Sequence, residues 1–149
     1  MKHYSTIHAG QNPSIEAFVV KRCGVVEGGF GAYNALWFND SRGLKVALLY
    51  NNFHWPNIAI HVASRPGALW CWPEMLWHIF AYPFIQLNCN RVTAPVDAVN
   101  TASCKLVSTL GFKEEGRLRE AGRNGEDILL YGMLKRECRW IANEQRRAE

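Results

Sequence analysis

Runs of apolar residues divide the chain into predicted helices and strands. The segment "IEAFVVKRCG" follows Ser14 and has a helical distribution of apolar residues, so we predict a helix capped by Ser14 and ended by Gly24. Three apolar runs come next, "VVEGGFGAYNALWFND", "LKVALLYNNF" and "NIAIHVAS", separated by turn and break residues. Short apolar runs joined in this way predict an antiparallel meander.

The apolar pattern changes its period at Pro73. "PEMLWHIFAYPFIQLN" is apolar on all sides and predicts a largely buried helix that bends or shortens near Pro83. "RVTAPV" predicts a strand, and "TASCKLVSTLG" a helix opened by Asn100 and closed by Gly111. "FKEEGRLREAG" and "EDILLYGMLK" predict a closing strand pair. The predicted order is helix, meander, helix, strand, helix, hairpin, which is an α/β (α+β) domain.

The composition indicates a soluble globular protein. The 149 residues are 48% hydrophobic and 20% charged, so we expect one domain over residues 1–149 with flexible ends at 1–13 and 140–149. We expect it to fold alone or as a small oligomer such as a homodimer. The apolar segments are too interrupted for a signal peptide or a membrane span. Five widely spaced cysteines are typical of reduced thiols in a cytoplasmic protein.

The net charge is +4, with a basic cluster in the tail "KRECRWIANEQRRAE". This charge is compatible with a nucleic-acid partner, but a solvated basic tail is the commoner explanation.

The segment "NRVTAPVDAVNTASCKLVSTLGFKEEGRLREAG", followed by "DILLYGMLKREC", resembles the GCN5-related N-acetyltransferase superfamily, especially its ribosomal-protein N-terminal acetyltransferase-like branch. The similarity covers residues 74 to 138, and the N-terminal third resembles the family in element order alone. The resemblance implies a mixed, mostly antiparallel sheet that is flanked by helices and splays between its fourth and fifth strands. It also implies acetyl-CoA as co-substrate and no metal.

In such a fold the pantetheine arm of acetyl-CoA lies in the gap between those two strands. By resemblance, "IHVAS" is the fourth strand and "RVTAPV" is the fifth. The resemblance therefore implies that the arm contacts His61, Val62, Ala63 and Ser64, and that Asn100 faces it from the start of the next helix. Asn100 is equally well explained as a helix cap, and both roles are compatible.

The chain departs from the family at the loop that binds pyrophosphate. That loop falls on "GALWCW", so Trp70 and Trp72 stand where the family has glycines. With an offset of a few residues, "SRPGAL" is a shortened loop in which Arg65 contacts phosphate. Trp70 is a further candidate for contact with the donor, since Trp70 and Trp72 are also suited to stacking on an adenine or nucleobase.

The family's usual acid for the departing thiolate is a Tyr, and Val107 occupies its position. In the ribosomal-type branch a Ser three residues after the Asn is the proposed acid, and Ser103 matches it; close packing explains a small residue there equally well. The resemblance implies an oxyanion donor in the backbone near Val62 or Ala63.

Transfer to an amine also needs a base. The candidates are His54, His61, Glu126 and Asp127, of which we favour His61 or His54; a structural role is the commoner fate of a lone His in a strand. Tyr50 and Asn52 are candidate substrate contacts. The separation of the two histidines is not a metal-ligand signature.

The leading hypothesis is an acyl-CoA-dependent N-acyltransferase that acts by direct attack on an amine of a small molecule or protein. One alternative keeps the fold and modifies nucleobases, as phage proteins of this type do. Another is a catalytically idle binding module, because the pyrophosphate loop and the Tyr are missing.

Overall fold

The computed structural model describes residues 4–23 and 29–142. Their strands form one sheet in the order β1-β2-β3-β4-β5-β7-β6, in which β4 and β5 are parallel and all other neighbours are antiparallel. The strands are β1 Thr6–Gly10, β2 Tyr33–Asp40, β3 Gly43–His54, β4 Asn57–Ser64, β5 Arg91–Asp97, β6 Lys113–Leu118 and β7 Ile128–Leu134. The expected mixed, mostly antiparallel sheet is confirmed.

Helices cover both faces of the sheet. Helix α1 (Pro13–Cys23) packs on one face through Ile15 and Val19, against small and aliphatic side chains of β2, β3 and β4. Helix α2 (Pro73–Ala81) and helix α3 (Thr101–Leu110) pack on the other face, which holds the larger hydrophobic core. Within the described residues, no helix is long and apolar enough to cross a membrane.

Proline and capping residues define the helix ends. Helix α2 passes at Tyr82 into one π-helical turn, because Pro83 has no N–H with which to continue the α-helical ladder. Gly111 ends α3 in the left-handed conformation with φ +113°, as the sequence indicates. At α1 the cap is Asn12 rather than Ser14, since the Asn12 side chain accepts the backbone N–H of Ser14 at 2.9 Å. Gly24 lies outside the described residues.

Both ends of the chain carry structure that the sequence analysis did not predict. Strand β1 lies within the segment expected to be flexible. It forms the edge of the sheet and pairs with β2 alone. At the other end, Trp140 donates its indole N–H to the carbonyl oxygen of Leu110 at 2.9 Å. Residues 143–149 of the expected flexible tail lie outside the described residues.

The parallel strands β4 and β5 pair only at their beginnings. Asn57, Ile58 and Ala59 lie opposite residues 91–93, and beyond these three pairs the strands separate. The predicted splay between the fourth and fifth strands is therefore confirmed. We call the space between residues 60–64 and 94–97 the wedge.

Candidate functional site

The wedge opens into a cavity of about 370 Å³, which is within the usual size range of ligand sites. Its walls come from β4, β5, the first turns of α3, the last turn of α1 and the core side of α2. Among its lining residues are five that the sequence analysis singled out: His61, Val62, Trp70, Asn100 and Ser103. Residues far apart in sequence thus meet at one site.

The edge of β4 presents backbone groups to the wedge in a fixed alternation. Arg65 donates its N–H to the carbonyl of Lys45 at 2.9 Å, which makes this a hydrogen-bonded antiparallel pair. Such pairs alternate along two strands, so the backbone of Ala63 and of His61 points to β3. The N–H and C=O groups of Ile60, Val62 and Ser64 point the other way, into the wedge. Val62 is therefore better placed than Ala63 to offer an oxyanion donor.

The backbone groups of β5 alternate in the same way. Ala98 donates its N–H to the carbonyl of Asp127 at 2.8 Å, which fixes the phase of the β5–β7 ladder. The even-numbered residues of β5 therefore bond to β7, whereas residues 93, 95 and 97 face β4. Position 95 is Pro95, which has no N–H to donate. A proline fits there because β4 has already diverged.

The N-terminus of α3 closes one side of the wedge. Asn100 caps this helix, and its side-chain oxygen accepts the N–H of Ser103 at 3.1 Å. The cap role of Asn100 is therefore present, while its Nδ2 group has no partner among the described residues. Asn100 thus offers a free amide donor to the cavity that it lines. Val107, at the position of the family's Tyr, lines the same cavity and supplies no hydroxyl.

His61 is held by a buried amide. Asn51, only 5% exposed, donates from Nδ2 to the carbonyl oxygen of Phe30 at 3.0 Å, and its Oδ1 lies 3.0 Å from Nε2 of His61. Because a carbonyl oxygen can only accept, the amide oxygen faces His61, and Nε2 of the imidazole must donate. The free lone pair of the neutral ring is therefore on Nδ1. Burial lowers the pKa of His61 to about 4, so the ring is neutral at physiological pH.

Asp97 and Cys23 also line the cavity, and neither was predicted as a site residue from the sequence. The Cys23 thiol lies 3.7 Å from the carbonyl oxygen of Val62. Burial and, to a smaller extent, the charge of the Asp97 carboxylate raise the pKa of Cys23 to about 11. Burial and the charge of Glu126 raise the pKa of Asp97 itself. A signal for Asp97 was its place three residues before Asn100, at the end of the fifth strand.

The structure places three other predicted residues away from the wedge. Asn52 and His54 are exposed near the β3–β4 turn, beside the paired ends of β4 and β5. That turn is five residues of strand from Val62, or roughly 17 Å. Tyr50 is buried against α2 and donates its hydroxyl to the carbonyl of Ile79 at 2.6 Å. These residues do not share a site with His61.

Two candidate bases near the last turn are engaged in local contacts. Asp127 accepts the N–H of Glu120 at 2.9 Å and pairs with Arg117 at 2.7 Å. Glu126 accepts the N–H of Asn124 at 3.0 Å and does not line the cavity.

The predicted phosphate contacts have structural partners of their own. Arg65 makes a bidentate pair with Asp40, at 2.7 and 3.1 Å. The same guanidinium lowers the pKa of Asp40 to about 2. Trp70 is 7% exposed, belongs to the core and forms part of the cavity wall. The side chain of Ala63 packs in the α1 cluster, and Ser64 lies opposite Val46 at the end of β4.

All five cysteines are free thiols. Within residues 4–23 and 29–142, the His, Cys, Asp and Glu side chains form no group of three that could hold a metal ion.

Comparison with known proteins identifies the architecture. The spermidine/spermine N-acetyltransferase of Vibrio cholerae, in mutant forms, superposes with a TM-score of 0.67 over 97% of this chain and 99% of that chain, at 16% identity. The spermidine N-acetyltransferase of the same organism, solved in complex with CoA and spermine, gives 0.60 over 72% of this chain and 68% of that chain, at 19% identity. The chain has the GCN5-related N-acetyltransferase fold.

Sequence similarity to this fold is local. The "Uncharacterized N-acetyltransferase p20" of Bacillus licheniformis is 39% identical over 67 residues, which cover 43% of this chain and 38% of that protein. No protein-family model matches the sequence. Within the acetyltransferase fold, the wedge is the gap between the fourth and fifth strands that the resemblance implied.

Proposed function

We propose that the protein is an N-acyltransferase that transfers an acetyl group from acetyl-CoA or a related pantetheine thioester to the amine of a small molecule. The observation that carries this proposal is the wedge, in which an unpaired β4 edge meets the free amide of Asn100. A pantetheine arm contains two amides and needs partners of this kind. The local similarity to an N-acetyltransferase and the fold itself support the proposal.

The unpaired backbone of β4 holds and activates the thioester. The N–H of Val62 points into the wedge, where it can donate to the oxygen that becomes negative in the tetrahedral intermediate. The carbonyls of Ile60 and Ser64, together with Nδ2 of Asn100, bond the amides of the arm. Acetyl-CoA supplies the activated acyl group when it is bound.

Asp97 is the group that we assign as the proton acceptor. An aspartate with a raised pKa is a stronger base than an ordinary carboxylate, and Asp97 lines the same cavity as Val62. His61 has its pKa lowered to about 4, which makes it a weak base. Its Nδ1 lone pair can instead accept an N–H of the incoming amine and hold the nitrogen in line with the carbonyl carbon.

Asp97 takes up a proton and Ser103 supplies one during the transfer. The amine nitrogen bonds to the carbonyl carbon and loses one proton to Asp97, which passes it to solvent. The carbon–sulfur bond breaks, and the sulfur gains a proton from the Ser103 hydroxyl, which solvent reprotonates. Ser103 lines the cavity and is partly exposed. We assign Ser103 as the acid because it matches the Ser of the ribosomal-type branch.

The acceptor is proposed to be a small-molecule amine. A structural neighbour of this chain was solved with spermine and is a spermidine N-acetyltransferase. The test is isothermal titration with acetyl-CoA, followed by mass spectrometry of reactions with a panel of mono-, di- and polyamines. We expect one-to-one binding and an acetylated product from at least one amine. No heat and no product at high micromolar donor would contradict the proposal.

A further inference from the structure

A donor of the acetyl-CoA type has two halves with different chemistry. The pantetheine arm is uncharged and bonds through amides, whereas the diphosphate and nucleotide carry several negative charges. A diphosphate site in proteins needs cations or free backbone N–H groups at a helix N-terminus. The two halves can therefore be sought separately in the structure.

The arm half of the site is complete. The β4 edge offers the N–H groups of residues 60, 62 and 64 and the C=O groups of residues 60 and 64, and Asn100 adds an amide donor from the opposite wall. Pro95 keeps the facing edge of β5 from competing for those groups.

The diphosphate half is occupied by protein groups. Arg65 is the one cation in the segment 65–72, and its guanidinium is paired with Asp40 at 2.7 Å. The N–H of Ala68 donates to the carbonyl of Arg65, and the N–H of Trp72 donates to that of Trp70. The Trp70 side chain is buried at the cavity wall where a bare glycine would leave room for phosphate.

The start of α2 and the cavity cations do not replace these groups. Pro73, the first residue of α2, has no N–H to donate to a phosphate. The negative charge of Glu74 in the first turn disfavours an anion at this helix end. The cations that line the cavity, Lys21 and Arg22, belong to the last turn of α1. The backbone of these two residues precedes Cys23, whose thiol lies 3.7 Å from the Val62 carbonyl, and the Arg22 guanidinium lies over the Phe18 ring at 5.1 Å.

We infer that the protein recognises its donor by the pantetheine arm alone, so that its donor class is an acyl thioester of pantetheine or phosphopantetheine, for which the nucleotide is dispensable. This inference rests on the proposed function. It predicts that removing the nucleotide from acetyl-CoA leaves binding and turnover nearly unchanged.

The experiment compares acetyl-CoA with acetyl-pantetheine on the same protein, by titration calorimetry and by kcat/KM with one amine that is acetylated. We expect the two donors to agree within tenfold in both quantities. A loss of more than tenfold for acetyl-pantetheine would overturn the inference while the proposed function stood. Failure of both donors to bind and react would instead contradict the proposed function.

Competition by the two halves gives a second measurement. Pantetheine should displace acetyl-CoA, and adenosine 3′,5′-bisphosphate at the same millimolar concentration should not. Displacement by the nucleotide half would overturn the inference.

Arg65→Gln supplies the matched variant. We expect its affinities for acetyl-CoA and for acetyl-pantetheine to stay within twofold of the wild type, with circular dichroism confirming the fold. A selective loss of more than tenfold for acetyl-CoA would show that Arg65 holds phosphate and would overturn the inference. If this variant does not fold, the fragment competition decides the question.

Discussion

The strands β4 and β5 are hydrogen-bonded to each other at one end of the pair and separated at the other. At the closed end, Asn57, Arg91 and Thr93 join the strands through side chains as well as backbone, with Thr93 donating to Asn57 at 2.8 Å and Arg91 donating to it at 3.1 Å. Arg91 also forms an ion pair with Glu115. At the open end the same two strands do not pair with each other; the Val62 carbonyl accepts from the Cys23 thiol and the Asp97 carbonyl accepts the N–H of Asn100.

A buried backbone group without a partner is costly, so an open strand edge persists only where water or a ligand can satisfy it. The wedge meets this condition because it opens into a solvent-accessible cavity. The closed end thus provides stability, and the open end provides binding capacity. Variants at the two ends should separate these properties.

The largest effect is expected at the open end, from Asp97→Asn. The amide is nearly isosteric with the carboxylate but cannot take a proton, so kcat should fall by about 10²-fold or more. Donor affinity should stay within twofold in calorimetry. Glu126→Gln is the control: it removes a charge that raises the pKa of Asp97, so the acidic limb of the rate profile should move to lower pH. Full activity in Asp97→Asn would exclude Asp97 as the base.

Thr93→Pro is the strongest test of the closed end. The substitution removes the N–H that faces β4 and the hydroxyl that bonds Asn57, and we expect a loss of about 3 kcal/mol or more in the free energy of unfolding. Urea titration followed by circular dichroism measures it. Thr93→Val keeps the N–H and loses only the hydroxyl, so it should lower the free energy of unfolding by about 1 kcal/mol. Equal losses in the two variants would mean that the backbone bond contributes little.

Sequence patterns predicted most of the fold because each element carries a local signal. Alternating apolar residues mark β4, Pro83 marks the change at the end of α2, and Asn100 with Gly111 marks both ends of α3. Strand β1 was missed, since it has five residues that are largely exposed and its pairing with β2 is a tertiary property. The α1 cap was misassigned because Asn12 and Ser14 are both good capping residues.

The candidate site was less predictable, since it depends on which residues face each other across the wedge. Asn100, Ser103 and Val62 were predicted from the resemblance and line the cavity, while Asp97 carried no motif of its own. His54 and Tyr50 have suitable chemistry, but His54 is exposed near the β3–β4 turn and the Tyr50 hydroxyl donates to the carbonyl of Ile79. The pairing of Arg65 with Asp40 joins residues distant in sequence, which a single sequence does not reveal.

The pH dependence of stability provides a test of His61. Its folded pKa of about 4 lies below the ordinary value of 6.5, so the unfolded chain binds the proton more readily. Stability is therefore full above pH 6.5 and falls as the pH drops toward 4, by about 3 kcal/mol in total. Urea titrations at several pH values in that window should show the decline. His61→Gln should flatten it, and an unchanged slope would mean that other groups cause it.

Asn100 combines a cap with a free amide, and two variants separate these roles. Asn100→Ala loses both, so we expect a loss of about 1 kcal/mol in unfolding free energy and weaker donor binding. Asn100→Ser keeps a good cap and should retain the stability, but donor affinity should still fall by up to about tenfold, as for one lost hydrogen bond. Thermal unfolding and calorimetry measure the two effects. Wild-type affinity in Asn100→Ser would limit Asn100 to capping.

The smallest effect is expected from Pro95→Ala, the open-end counterpart of Thr93→Pro. Alanine restores an N–H that points to β4, but the strands have already diverged there, so the group meets water or ligand rather than a partner. The greater conformational freedom of the unfolded chain should then lower the free energy of unfolding by about 0.4–1 kcal/mol. Donor affinity should stay within twofold. A rise in stability together with lost donor binding would show that β4 and β5 can pair along their whole length and that Pro95 holds the wedge open.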